Sequence, residues 1–215
     1  MSIFKYIVIC LIQVSSIFSF SQTLKPRFEH IGTAEGLSHS AVLSVLQDSK
    51  GFMWFGTPGG LNKYDGYEFT VYKHDPQNFK SIAGSVAYTL FKDSENRLWS
   101  GTDDGGLNLF DHERGNFIRY KIGSDKIVSI TQDEAGNLWL GTFGGGVLSF
   151  NVKAKKYVRY KNDPLNPKSL SSDYVKNVMI DKKGTLWIGT IKGGGLNRFV
   201  KPNSFIHYTN DASDK

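Results

Sequence analysis

Gly136-Asn137-Leu138-Trp139-Leu140-Gly141-Thr142 decides how this chain is read, because three near copies accompany it. They are Gly51-Phe52-Met53-Trp54-Phe55-Gly56-Thr57, Asn96-Arg97-Leu98-Trp99-Ser100-Gly101-Thr102 and Gly184-Thr185-Leu186-Trp187-Ile188-Gly189-Thr190. Their tryptophans are spaced 45, 40 and 48 residues apart. Self-similarity at a period of about 40–50 residues marks a repeat architecture, in which each unit buries its apolar face against the next.

Every copy occupies the same place in a larger pattern. An apolar run ends on an Asp six residues before each Trp, at Asp48, Asp93, Asp133 and Asp181. Such an Asp caps its own turn through its side chain, and the Gly or Asn three positions on accepts positive φ. The fixed spacing therefore places Asp and Trp in one hairpin. Gly-Thr is followed by glycine-rich turns at Pro58-Gly59-Gly60, Asp103-Asp104-Gly105-Gly106, Phe143-Gly144-Gly145-Gly146 and Ile191-Lys192-Gly193-Gly194-Gly195. Third strands come next, at 61–65, 107–111, 147–151 and 196–199. The fourth strands share an aromatic-x-x-Tyr pattern: Phe69 to Tyr72, Phe117 to Tyr120, Tyr157 to Tyr160 and Phe205 to Tyr208. Four short strands per repeat without helical periodicity predict an all-β propeller. Its four four-stranded blades cover about 41–75, 86–121, 126–161 and 174–209.

Two features that mimic chemistry have simpler readings. A phosphate cradle needs a helix after its glycines, and here a strand follows each time. The four register-matched Asp residues lie in separate hairpins, none paired with a second carboxylate as acid catalysis requires, so they read as turn residues. The tryptophans have apolar neighbours such as Met53 and Phe55, which predicts burial between blades rather than exposed sugar platforms.

The 215 residues are 40% hydrophobic and 21% charged, a globular composition. Lys and Arg exceed Asp and Glu by 26 to 20, a net charge of +6. The excess is scattered, and its densest run, Lys153-Ala154-Lys155-Lys156, reads as a solvated hairpin. With no basic stripe, no nucleic-acid partner is expected. Lys5, the apolar run Tyr6 to Phe20 and the small-x-small Ser19-Phe20-Ser21 read as an export signal over 1–21, cleaved to leave a mature domain over 22–215. An uncleaved anchor is the alternative. Cys10, the one cysteine, falls in that signal, so the mature chain is expected to carry no disulfide and no membrane span.

Several further features carry a resemblance. They are the L-W-x-G-T strands, the following G-G-L-N, the linkers His74-Asp75-Pro76 and Asn162-Asp163-Pro164, and the opening Phe28-Glu29-His30-Ile31 leading to Gly36-Leu37-Ser38. Over residues 27–210 the chain resembles the two-component regulator propeller repeat. That resemblance implies the periplasmic sensor region of Bacteroidetes hybrid two-component histidine kinases, recognising oligosaccharides and controlling polysaccharide-utilisation genes. It implies as partners an oligosaccharide, the remaining blades and kinase of a longer protein, and a second copy in a homodimer. The sequence holds neither a kinase phosphoacceptor helix nor an ATP-binding glycine motif, and His30, His39, His74, His112 and His207 all fall in strands or turns. No catalytic residue, cofactor or metal is therefore expected. The chain reads as an N-terminal fragment, an open arc of a propeller of about seven blades, with 27–31 as a strand closing the last blade. A closed four-bladed ring is the alternative.

In such blades the inter-blade connections and the turns between second and third strands emerge on one face, where variable loops carry binding. The candidate ligand contacts there are Asp103, Asp104, Phe143, Lys192, His39 and Tyr174, each of which also fits an ordinary turn role. Two other functions compete with sensing. One is a self-contained propeller binding a protein or glycan. The other is a glycan lyase or hydrolase, for which Asp103 and Asp104 are the adjacent carboxylates, though sequence neighbours point apart.

Overall fold

The computed structural model describes residues 27–104, 106–123, 125–200 and 202–209. The export signal expected over 1–21 lies outside them. The chain divides into two units after His30, and every blade lies in the second.

Sixteen strands form four antiparallel sheets, each in sequence order. The first blade is β1 (Ser44–Gln47), β2 (Met53–Thr57), β3 (Gly60–Tyr64) and β4 (Phe69–Tyr72). The second is β5 (Ala87–Lys92), β6 (Leu98–Thr102), β7 (Gly106–Asp111) and β8 (Asn116–Lys121). The third is β9 (Lys126–Gln132), β10 (Leu138–Phe143), β11 (Val147–Asn151) and β12 (Lys156–Tyr160). The fourth is β13 (Val175–Ile180), β14 (Leu186–Thr190), β15 (Leu196–Val200) and β16 (Ser204–Tyr208). The fold is the all-β propeller that the repeat pattern predicts, and it is not closed. Residues 27–31 form no strand; a strand must pair along its edge, and none of the four blades here lacks its fourth strand.

Each Asp of the repeat stands just past the first strand and does more than cap a turn. The Asp48 carboxylate accepts the backbone N–H groups of Lys50 and Phe52 through one oxygen and the Trp54 indole N–H, at 2.8 Å, through the other. The indole bond recurs at 2.7 Å from Trp99 to Asp93, 3.0 Å from Trp139 to Asp133 and 2.9 Å from Trp187 to Asp181. A buried indole N–H without an acceptor is costly, and a carboxylate is the strongest acceptor available. The six-residue spacing is the reach of that bond across one hairpin.

With its N–H satisfied, the indole packs as pure apolar surface. Trp54 stacks on Tyr72 of its own blade at 5.8 Å and meets the edge of Phe110 of the next blade at 4.7 Å. Trp99 lies between Tyr120 and Phe150, and Trp139 between Tyr160 and Phe199, in the same way. Burial pushes the Tyr72, Tyr120 and Tyr160 phenols up from their ordinary pKa. Trp187 has Tyr208 on one side and, among the described residues, no Phe on the other. It is half-buried where Trp54 and Trp99 are fully buried, so the expectation of a core Trp fails in the fourth blade for want of a neighbour.

The Gly of each Trp-x-Gly-Thr tells the same story. A Cβ on Gly56 would stand 2.5 Å from the Ala87 carbonyl, and one on Gly101 would stand 2.8 Å from that of Ile127, because the next blade's first strand crosses there. A Cβ on Gly189 would find only the Asn177 carbonyl, at 3.9 Å. Among the described residues no following strand crosses at that glycine.

The turn face is fastened by a second recurring bond. Asn62, Asn108 and Asn197, all buried, accept the backbone N–H of Ser38, Ala83 and Ser171 from the segments entering their own blades. The third blade has Leu148 at this position. There Arg159 takes over, donating to Asp125, to the Gly145 carbonyl and to the Ile122 carbonyl.

Three outcomes follow from this packing. In chemical denaturation, Asp93→Ala should cost about 3 kcal/mol, since it leaves the Trp99 indole N–H without its acceptor. Gly101→Ala should cost about 2 kcal/mol or more by overpacking, whereas Gly189→Ala should stay within about 1 kcal/mol; equal losses would mean the ring closes. Acid should also weaken the fold. The His112 ring packs edge-on against Trp54 and Phe110, and burial pushes its pKa below the ordinary value, with Asp48 pulling the other way. The Trp187 indole bond, then backbone N–H bonds, hold Asp181 below the ordinary carboxylate value. Unfolding releases both constraints. Stability should therefore fall as pH drops below the ordinary His value of about 6.5, and again below about 4 as Asp181 protonates. In denaturation midpoints against pH, His112→Phe should flatten the first fall.

Candidate functional site on the turn face

The turns between second and third strands pack against the segments that enter the same blades. A Cβ on Gly59 would meet Ser38, and one on Gly194 would meet Ser171 and Ser172. Inter-blade connections and these turns thus share one face.

The two longer connections are built alike. In Asp75 to Ser81, the Asp75 N–H donates to the Ser81 hydroxyl and the Asp75 carboxylate accepts the Gln77 N–H. In Asp163 to Ser169, the Asp163 N–H donates to the Ser169 hydroxyl and the Asp163 carboxylate accepts the Leu165 N–H. Arg119 holds the first loop by donating to the carbonyls of Asn78 and Ser81, and His207 holds the second through the Ser169 carbonyl. Asp-Pro starts the turn, and the Asn three residues after each Asp caps the next one. Their Asp, Asn and Ser side chains are spent on the loops' own backbone.

The six candidate residues divide. Phe143, Tyr174 and Lys192 come together where the third and fourth blades meet. Phe143 and Tyr174 form an antiparallel bridge with their rings edge to face at 5.3 Å, and the Lys192 ammonium sits 3.3 Å from the Tyr174 ring centroid. Phe143 is 41% exposed, high for a ring with an apolar neighbour. Asp103 serves its own turn: its carboxylate accepts the Val86 N–H at 3.0 Å, and its N–H donates to the Val86 carbonyl. Asp104 is an exposed turn residue with φ of 57°. His39 accepts the Ala41 N–H at 2.9 Å in the segment entering the first blade. Among the described residues no group of three or more His, Cys, Asp or Glu is placed to hold a metal ion, and no helix is long and apolar enough to cross a membrane.

Three windows of the chain are similar to a known repeat. The model of the two component regulator propeller fits residues 36–59, 121–144 and 169–192. Each window runs from the segment entering a blade, through its Asp and Trp, to the turn after Gly-Thr. Over these three windows the chain is similar to two-component regulator propeller repeats. Histidine kinase P4 of Formosa agariphila is 41% identical over 56 residues, 26% of this chain and 4% of that protein. The extracellular domain of the hybrid two component system BT4673 from B. thetaiotaomicron superposes with a TM-score of 0.67 at 20% identity, covering 84% of this chain and 23% of that one. That of the hybrid two component system BT3049 superposes at 0.58 and 22% identity, covering 83% and 31%. The chain spans under a third of each of these three proteins.

Since Phe143 and Lys192 are exposed and brace nothing beneath them, Phe143→Ala and Lys192→Ala should each shift stability by no more than about 1 kcal/mol in chemical denaturation. A larger loss would make the cluster a structural clamp.

Proposed function

We propose that this chain is the amino-terminal arc of the periplasmic sensor region of a hybrid two-component signalling protein, exported by residues 1–21. In this reading its turn face recognises oligosaccharides, and their binding controls genes for polysaccharide use. One observation carries the reading. Matches to the regulator propeller repeat fall in the first, third and fourth blades, and in the fourth Trp187 and Gly189 present the same surface that meets a following blade elsewhere, with no such blade against them among the described residues. The bare flank supports a longer protein, in which 27–31 closes the last blade and a kinase lies beyond the membrane. Signalling then works by differential affinity: ligand on the turn face favours one arrangement of propeller against the later domains, and that bias is the output. The chain's own role is binding, not catalysis. Asp103, half of the one adjacent carboxylate pair on this face, is already committed to the Val86 N–H.

The nucleotide sequence after the Lys215 codon tests the arc. Further Trp-x-Gly-Thr repeats, a membrane segment and a kinase are expected, in frame or after a frameshift, and an unrelated gene there would overturn it. Calorimetric titration with oligosaccharides tests the ligand class; saturable binding is expected, and binding only to a protein partner would replace it.

A further inference from the structure

A band of three rings and two ammonium groups runs along the turn face from the second blade to the fourth. Phe143 pairs across the ladder with Lys126, so their side chains leave the same side of the sheet. The Lys126 ammonium reaches back to the Tyr88 ring of the second blade, 5.8 Å from its centroid. Phe143 meets Tyr174 of the fourth blade, and Lys192 caps Tyr174. The order in space is Tyr88, Lys126, Phe143, Tyr174, Lys192, with both lysines and Phe143 exposed and both tyrosines half-buried.

Three carboxylates of this region are already engaged, leaving the exposed Asp104 of the second-blade turn outside any ion pair among the described residues. Asp125 pairs with Arg159 at 2.7 Å, Asp173 with Lys161 at 3.7 Å, and Asp103 accepts the Val86 N–H. Among the described residues neither Lys126 nor Lys192 is in an ion pair. A lysine over a ring face is partly desolvated and held in place, yet keeps N–H donors pointing outward. The exposed Phe143 ring, which no ammonium among the described residues covers, offers an apolar face for the C–H face of a sugar, and the ammonium groups on either side of it select for negative charge.

We infer that this band is a binding site for an anionic oligosaccharide, one carrying carboxylate or sulfate groups on successive sugars. The inference rests on the glycan-sensing reading and narrows it to acidic glycans. The Phe143 ring sets where a sugar lies and the two lysines meet the charges. Lys126 and Tyr88 thereby join the site, and Asp103, Asp104 and His39 leave it.

The test is calorimetric titration of the purified chain with chondroitin sulfate tetrasaccharide and tetragalacturonate, beside neutral cellotetraose and laminaritetraose, at two salt concentrations. Acidic probes should bind more tightly than neutral ones and weaken as salt rises. Lys126→Gln and Lys192→Gln should each weaken acidic binding by about threefold to tenfold. Lys183→Gln, in the opposite-face turn after Asp181, should leave it unchanged, and matched thermal melts should show all variants folded. Acidic binding indifferent to both site lysines, or a preference for neutral probes, would overturn this inference and leave glycan sensing standing. No binding to any glycan would overturn both.

Discussion

The hydrogen bond from each tryptophan indole to the carboxylate six residues before it is the constraint on which the rest of the structure depends. The indole must sit between blades, where water cannot satisfy its N–H. The carboxylate needs donors as well, and it finds them in the turn that it organises. One Asp thus ties the turn, sets the strand register and lets the largest apolar side chain of the repeat be buried. Once the Trp is fixed, its faces dictate the neighbours. The Tyr closing its own blade lies on one side and a Phe from the third strand of the following blade on the other.

This arrangement is directional. Each blade completes the one before it and is completed by the one after, so stability accumulates through nearest-neighbour interfaces, as in linear repeat proteins. The third blade shows how far the fastening tolerates substitution. Leu148 replaces the buried Asn, and Arg159 reaches over from the outer strand to hold the entering segment by other atoms. The backbone position is conserved within the molecule although the bond that holds it is not.

Much of this was legible in the residues. The Trp period, the Asp spacing and the aromatic-x-x-Tyr strands located every blade, because tight hairpins are decided by local turn chemistry and alternation. The spacing of Asp48 and Trp54 was visible, but the bond between them was not, since no local rule says which polar atom an indole will meet. The turn face was harder still. Tyr174 and Phe143 are 31 residues apart in sequence and meet by a bridge between blades, and Lys126 reaches Tyr88 across another blade boundary. Asp103 looked equally open to ligand, yet its carboxylate is spent on Val86. Which loop residues converge depends on the curvature of the arc, which no single repeat encodes.

The repeated seat that Gly56 and Gly101 offer to the next blade's first strand has a consequence for how such chains change over generations. A recombination event that duplicates or deletes one whole blade creates no new kind of contact, because the incoming flank presents the same Phe, Trp and crossing strand as the one it displaces. Such an event costs only the misfit in ring curvature at closure. Blade number is therefore free to vary as a unit, while the aromatic and basic residues on the turn face vary one at a time.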